Sequence, residues 1–138
     1  MPKKSSDRKP LTRREAHDLD VEIGFIEGVV RRDPESVDAL QILGDDYTRR
    51  GRLIEGLRVD ERLCRLRPDD AFAHYNLACS CSLTRQPERA ITALARALDL
   101  GYRDVRWLRR DPDLKNIRRH PRYREIRERL RAMALHAR

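Results

Sequence analysis

Aromatic side chains are scarce in this 138-residue chain: four Tyr, two Phe and one Trp. No segment alternates apolar with polar residues, and no run of Val, Ile, Thr and aromatics marks a strand. A sheet is excluded on these grounds, and the chain reads as all-α. No stretch approaches the ~20 consecutive apolar residues of a membrane span, so no membrane partner is expected. The start, Met1-Pro2-Lys3-Lys4-Ser5-Ser6, lacks the apolar core of a secretory signal. Cysteine is rare too. Three cysteines without a disulfide spacing suit a reducing compartment, and a cytoplasmic location is expected.

Chemistry-bearing constellations are equally thin. Cys79 and Cys81 stand two apart in a helical segment, so their thiols diverge and do not chelate. His17, His74, His120 and His136 fall on separate elements, where ordinary packing or exposure accounts for them. A nucleophilic Cys needs a neighbouring His, and His74 lies five positions from Cys79 on one helix, a poor spacing for contact. Asp45-Asp46 is a carboxylate pair, but adjacent helical residues do not face each other, whereas acid–base work needs convergence. The six glycines form no phosphate-cradling loop. The expectation is a protein that is not an enzyme and needs no cofactor or metal.

What the chain does have is charge, unevenly spread. Charged residues make up 39% of it, and the formal net charge is +8. Residues 1–14 carry +5, residues 15–102 carry −5 and residues 103–138 carry +8. A mildly acidic body between two basic ends raises the prospect of an acidic partner, nucleic acid included. The plainer account is a solvated, Arg-rich surface laced by pairs such as Arg124–Glu128 and Glu125–Arg129.

It also has a period. Leu43-Gly44, Gly56 and Leu63 recur in the same order and spacing as Leu77-Ala78, Ala90 and Ala97, and the shift between the two sets also carries Pro34 onto Pro68. A repeat of about 34 residues marks stacked helical hairpins. Small residues recur where paired helices must approach, Gly44 with Gly56 and Ala78 with Ala90. The spacing predicts helices over 13–32, 36–50, 53–66, 71–84 and 87–100. Ser36 and either Asp69 or Asp70 are expected as N-caps, Gly51 as a positive-φ C-terminus and Pro87 in a first turn. Gly24 and Gly28, inside the first helix, are expected to admit close contact with the next one.

The order Leu43-Gly44, Tyr47, Gly56, Leu63, Pro68, then Tyr75-Asn76-Leu77-Ala78, Ala90, Ala97 resembles the tetratricopeptide repeat. The resemblance covers about residues 15–102, as one lone helix and two hairpins. Leu40 stands where the family often has Trp, Gly56 where Ala is usual, and Tyr102 replaces the terminal Pro. Residues 102–138, with Trp107-Leu108, Asp111-Pro112-Asp113-Leu114 and His120-Pro121-Arg122-Tyr123, resemble the segment that closes such repeats in many bacterial proteins. The resemblance implies a short right-handed superhelix of antiparallel hairpins with C-terminal capping helices, near 105–110, 114–119 and 121–133. The expected organisation is a disordered basic tail over 1–12 and a single domain over 13–138. That domain divides into a helix over 13–33, hairpins over 36–68 and 70–101, and a cap over 102–138.

The same resemblance implies a protein-interaction module, a scaffold or adaptor whose inner, concave face binds a peptide. The family's inner-face positions fall on Asp38, Gln41, Asp45, Thr48 and Arg49 in the first hairpin and on Phe72, Tyr75, Cys79 and Ser82 in the second. Arg106 and Arg109 would stand at one edge. Gln41 and Asp45 replace the basic and Asn residues of the family's carboxylate clamp. An extended peptide with an apolar anchor near Phe72 and Tyr75 and a basic group near Asp38 and Asp45 fits better. The alternative is that Phe72 and Tyr75 pack against the cap or the first helix. Two other partners are carried forward: nucleic acid at the basic ends, and a second copy of the chain on an end face formed by Leu19, Ile23 and Ile26.

Overall fold

The computed structural model describes residues 9–136. Most of the tail expected over 1–12 lies outside them. Among the described residues every regular element is helical: α1 (Arg13–Arg32), α2 (Val37–Arg50), α3 (Leu53–Leu66), α4 (Ala71–Leu83), α5 (Pro87–Asp99), α6 (Val105–Arg110), a 3-10 segment (Pro112–Ile117) and α7 (Tyr123–His136). None is long and apolar enough to cross a membrane. From α1 to α5 each helix packs on its chain neighbours, and the 3-10 segment lies against α4.

Local chemistry sets the boundaries. Thr12 caps α1 through a reciprocal box with Glu15. The Ser36 side chain accepts the Ala39 N–H, and that of Asp70 accepts from Phe72 and Ala73. Pro87 opens α5, where its missing N–H is not needed.

These devices return one repeat further on. Asp33 (φ −135°, ψ 81°) and Arg67 (φ −132°, ψ 67°) end their helices in nearly the same backbone conformation. Ser36 and Asp70 then donate their N–H to the carbonyls of Asp33 and Arg67. At the hairpin turns Gly51 has φ 84° and its counterpart Arg85 has φ 59°. The N–H groups of Arg52 and Gln86 bond the carbonyls of Tyr47 and Cys81. Gly101 (φ 105°) and Tyr102 repeat the pattern once more onto Leu98 and Ala97.

Packing divides into two apolar clusters. Leu19, Ile23, Leu40, Leu43, Tyr47, Val59 and Leu63 join α1, α2 and α3. A larger cluster joins α4 and α5 to the C-terminal segment, with Tyr75, Ala78, Leu94, Leu114, Ile117 and Ile126 shut off from solvent. Helix α3 faces both, since Leu57 belongs to the second. Full burial of each large aliphatic side chain contributes about 1.5–3 kcal/mol. Between them Ser80 of α4 donates a short hydrogen bond to buried Asp60 of α3.

Gly44 sits where α2 meets α3. A Cβ there would come within 3.3 Å of Val59 Cγ1 and Asp60 Oδ1, so the close approach expected of the repeat glycine is present. The expectation for α1 fails. A Cβ at Gly24 would meet nothing within 4 Å, and at Gly28 only the guanidinium groups of Arg31 and Arg32 at 3.7 Å. Both glycines lie off the contact stripe, because α2 is met by Leu19, Ile23, Ile26 and Val30 instead. That same packing uses up the apolar end face expected at Leu19, Ile23 and Ile26. The exposed apolar residues of α1 are Val21 and Phe25.

The cap differs in detail. In place of a helix over 114–119 there is the tighter 3-10 segment, begun by Pro112 and capped by the Asp111 side chain on the Asp113 N–H. The last helix begins at Tyr123, after a turn through Pro121, and continues to His136.

Candidate binding surfaces

Helices α2 and α4 were expected to present a continuous row of side chains. The structure separates that row. On α2, Asp38, Gln41 and Arg49 are exposed and Asp45 is half-buried. Thr48 is buried, its hydroxyl donating to the Gly44 carbonyl at 3.0 Å, the ordinary way a helical Thr satisfies itself. On α4, Phe72 stays exposed, but Tyr75, Cys79 and Ser82 have no exposed surface. Thr48, Tyr75, Cys79 and Ser82 are therefore not available to line an open groove.

The chain's own C-terminal segment covers α4. Tyr75 stacks on Tyr102 with ring centroids 4.2 Å apart and planes 2° from parallel, and Phe72 meets the Tyr102 ring edge-on at 5.8 Å. The packing alternative for the two aromatics is what the fold adopts. Tyr102, where the first hairpin has Pro68, supplies the ring that begins the closure. The Tyr75 hydroxyl donates to Asp111 Oδ2 at 2.6 Å, and the Cys79 thiol donates to the same oxygen at 3.6 Å. Asp111 Oδ1 accepts the Asp113 N–H at 2.9 Å, and the Asp111 carbonyl accepts from Arg118 at 2.8 Å. Asn116 donates to the Ser82 carbonyl at 3.2 Å. Burial, with Cys79 and Asp111 beside it, pushes the Tyr75 hydroxyl well above its ordinary range.

Cys79, Asp111 and Asp113 place one potential ligand atom each within 4.8 Å of one another, all buried. The Asp111 carboxylate is already held by Tyr75, Cys79 and the Asp113 N–H. It works as a hydrogen-bonded tie between α4 and the cap. Sequence reasoning passed over Asp111. It stands in the Asp111-Pro112-Asp113-Leu114 stretch, but its partner Tyr75 lies far back in the chain.

Two open surfaces bear on binding. The first lies at the start of α2, where Asp38 and Gln41 line a hollow of about 560 Å³ with Arg67, Asp69 and Asp70. Three carboxylates against the Arg67 guanidinium, with Arg96 3.8 Å from Asp69, leave it net acidic. The second runs between α6 and α7 as two adjoining hollows of about 720 and 300 Å³ that share Arg109 and Leu130. Arg109 thus belongs to the cap's own trough, and Arg106 is exposed on α6.

No protein-family model matches the chain. A chloroplastic protein of Arabidopsis thaliana is 33% identical over 79 residues, which make up 55% of this chain and 24% of that protein. The chain therefore spans about a quarter of the length of the relative it matches.

Proposed function

We propose that the chain is a protein-interaction module of the tetratricopeptide kind, a short stack of helical hairpins that binds a partner segment and performs no catalysis. The observation that carries the reading is the recurrence, one repeat apart, of the same caps, turn hydrogen bonds and left-handed turn residues in α2–α3 and α4–α5. A repeat that reproduces its backbone hydrogen bonding as well as its apolar pattern is one supersecondary unit used twice. Because α4 is covered, the partner meets α2, at Asp38, Gln41, Asp45 and Arg49, with Phe72 as the neighbouring apolar contact. The acidic hollow favours a segment bearing Lys or Arg. Three free cysteines fit a cytoplasmic module that works reduced.

The test is capture of partners by wild type and by an Asp38→Lys, Gln41→Lys double variant, with cross-linking to map contacts. Both side chains are exposed, so circular dichroism should be unchanged. The variant is expected to lose the partners that cross-link to α2. An identical set from both proteins would remove the site.

A further inference from the structure

We propose that the trough between α6 and α7 is a second binding site, built for an acidic peptide carrying an aliphatic side chain. The proposal rests on the reading of the chain as an interaction module and adds a separate surface to it.

The trough has two halves, one richer in apolar and one in cationic side chains. In the larger hollow Val105, Leu130 and Met133 form the apolar wall, with Arg103, Arg129 and His136 beside them, and its volume of about 720 Å³ is in the range of small-ligand clefts. Met133 is partly buried against the core, and its unbranched thioether adapts to whatever side chain enters. The smaller hollow continues from it past Arg109 and Leu130. Its remaining charged walls are Arg118, Arg127 and Arg131. Among the described residues no carboxylate lines either hollow.

The arginines divide by how they are held. Arg118 is fixed by donating to the carbonyls of Leu108 and Asp111 at 2.9 and 2.8 Å. Arg127 lies 5.0 Å over the buried Tyr123 ring and donates to the Arg118 carbonyl. Neither forms an ion pair among the described residues; carbonyl oxygens, and for Arg127 the Tyr123 ring, hold them in place. Arg109 and Arg131 are exposed and form no ion pair among the described residues. Two anchored and two exposed guanidinium groups around 300 Å³ make a receptor for carboxylates, which they can meet in bidentate fashion.

The occupant follows from the join. A nucleic acid would satisfy the cations but leave the aliphatic half empty. It would also want a platform of exposed aromatic faces for successive bases, and among the described residues lining the trough Tyr123 is buried and only the His136 ring is exposed. An acidic peptide with a Leu or Ile beside its carboxylates fills both halves.

The experiment is fluorescence anisotropy with the full chain and three labelled probes. These are a decapeptide of five Glu interleaved with Leu and Ile, the same peptide with Ser for Leu and Ile, and a ten-nucleotide oligo-dT. The first probe is expected to bind at least tenfold more tightly than the other two. Arg109→Glu with Arg131→Glu should weaken it by at least tenfold, and Met133→Ser should weaken it while leaving the Ser peptide unaffected. All three positions are at or near the surface, and circular dichroism checks the fold. The Asp38→Lys, Gln41→Lys variant should bind the probe as wild type does, which separates failure here from failure at α2. Equal binding of oligo-dT and the first peptide, or affinity untouched by the Arg109 and Arg131 changes, would overturn the proposal.

Discussion

Adding one methyl group to two different glycines should move stability in opposite directions. Gly44 and Gly24 both lie inside helices, and replacing either by Ala recovers about 1 kcal/mol of helix propensity. At Gly24 nothing lies within 4 Å of the new carbon, so the gain is kept. At Gly44 the carbon arrives 3.3 Å from Val59 Cγ1 and 3.3 Å from Asp60 Oδ1. Neither neighbour yields easily. Val59 is β-branched and nearly confined to one rotamer in a helix. Asp60 is 1% exposed and tied to Ser80, so pushing it loosens a bond between α3 and α4 as well. Overpacking of this kind costs about 1–3 kcal/mol, leaving a net loss of roughly 1 kcal/mol after the propensity gain. The two variants should therefore differ by about 2 kcal/mol. With a urea slope of about 1.5–2 kcal/mol per molar, their unfolding midpoints should lie roughly 1 M apart on opposite sides of wild type. If Gly44→Ala raises the midpoint as Gly24→Ala does, the two helices are not in the contact that the repeat is read to require.

Three further outcomes are expected. Arg85 holds φ 59° at the turn where the preceding repeat has Gly51, and Arg85→Gly should stabilise by up to about 1 kcal/mol in the same assay. Asp111→Ala leaves the Tyr75 hydroxyl and Cys79 thiol without their shared acceptor in a dry interior. It should cost about 3 kcal/mol in urea unfolding, with near-ultraviolet dichroism of the Tyr75–Tyr102 pair reduced before the helices melt. Asp46 is buried on α2, and its carboxyl is pushed from 3.8 up to about 7 by burial first and then by Glu22 of α1; Asp45 opposes and Arg49 assists its ionisation. The folded state thus holds a proton that the unfolded state releases, so stability falls as pH rises from about 4 to about 7, by at most ~4 kcal/mol. Asp46→Asn should flatten that slope in thermal melts across the range, and an unchanged slope would assign it to other groups.

Most of the helices were legible because local chemistry announces them. Ser36, Asp70 and Pro87 stand at starts, Gly51 and Gly101 at stops, and the apolar spacing between them is helical, whereas Thr12, the cap of α1, was counted with the tail. The inner face was not legible to the same degree. The resemblance to the tetratricopeptide repeat implies that Tyr75, Cys79 and Ser82 lie on an inner side of α4. It does not reveal that a segment well beyond α5 turns back and covers them. That closure depends on the Tyr75–Asp111 bond and the Tyr75–Tyr102 stack, both long-range. The basic C-terminal quarter was visible as charge, but the trough arises only when α6 and α7 come alongside, bringing Arg109 and Arg131 to one hollow. Gly24 and Gly28 misled for a different reason: a helical glycine looks the same in sequence whether or not another helix approaches it.

The three thiols also give the protein built-in reporters of its own opening. Burial, with Asp60 next, pushes the Cys64 thiol up to about 12. At pH 8 only about one molecule in ten thousand then carries the reactive thiolate there. Cys79 and Cys81 are sealed from solvent altogether. An alkylating reagent would therefore label the partly exposed Cys64 slowly in the folded protein and Cys79 only when the C-terminal closure lifts from α4, so that opening could be timed against an internal reference without adding a probe.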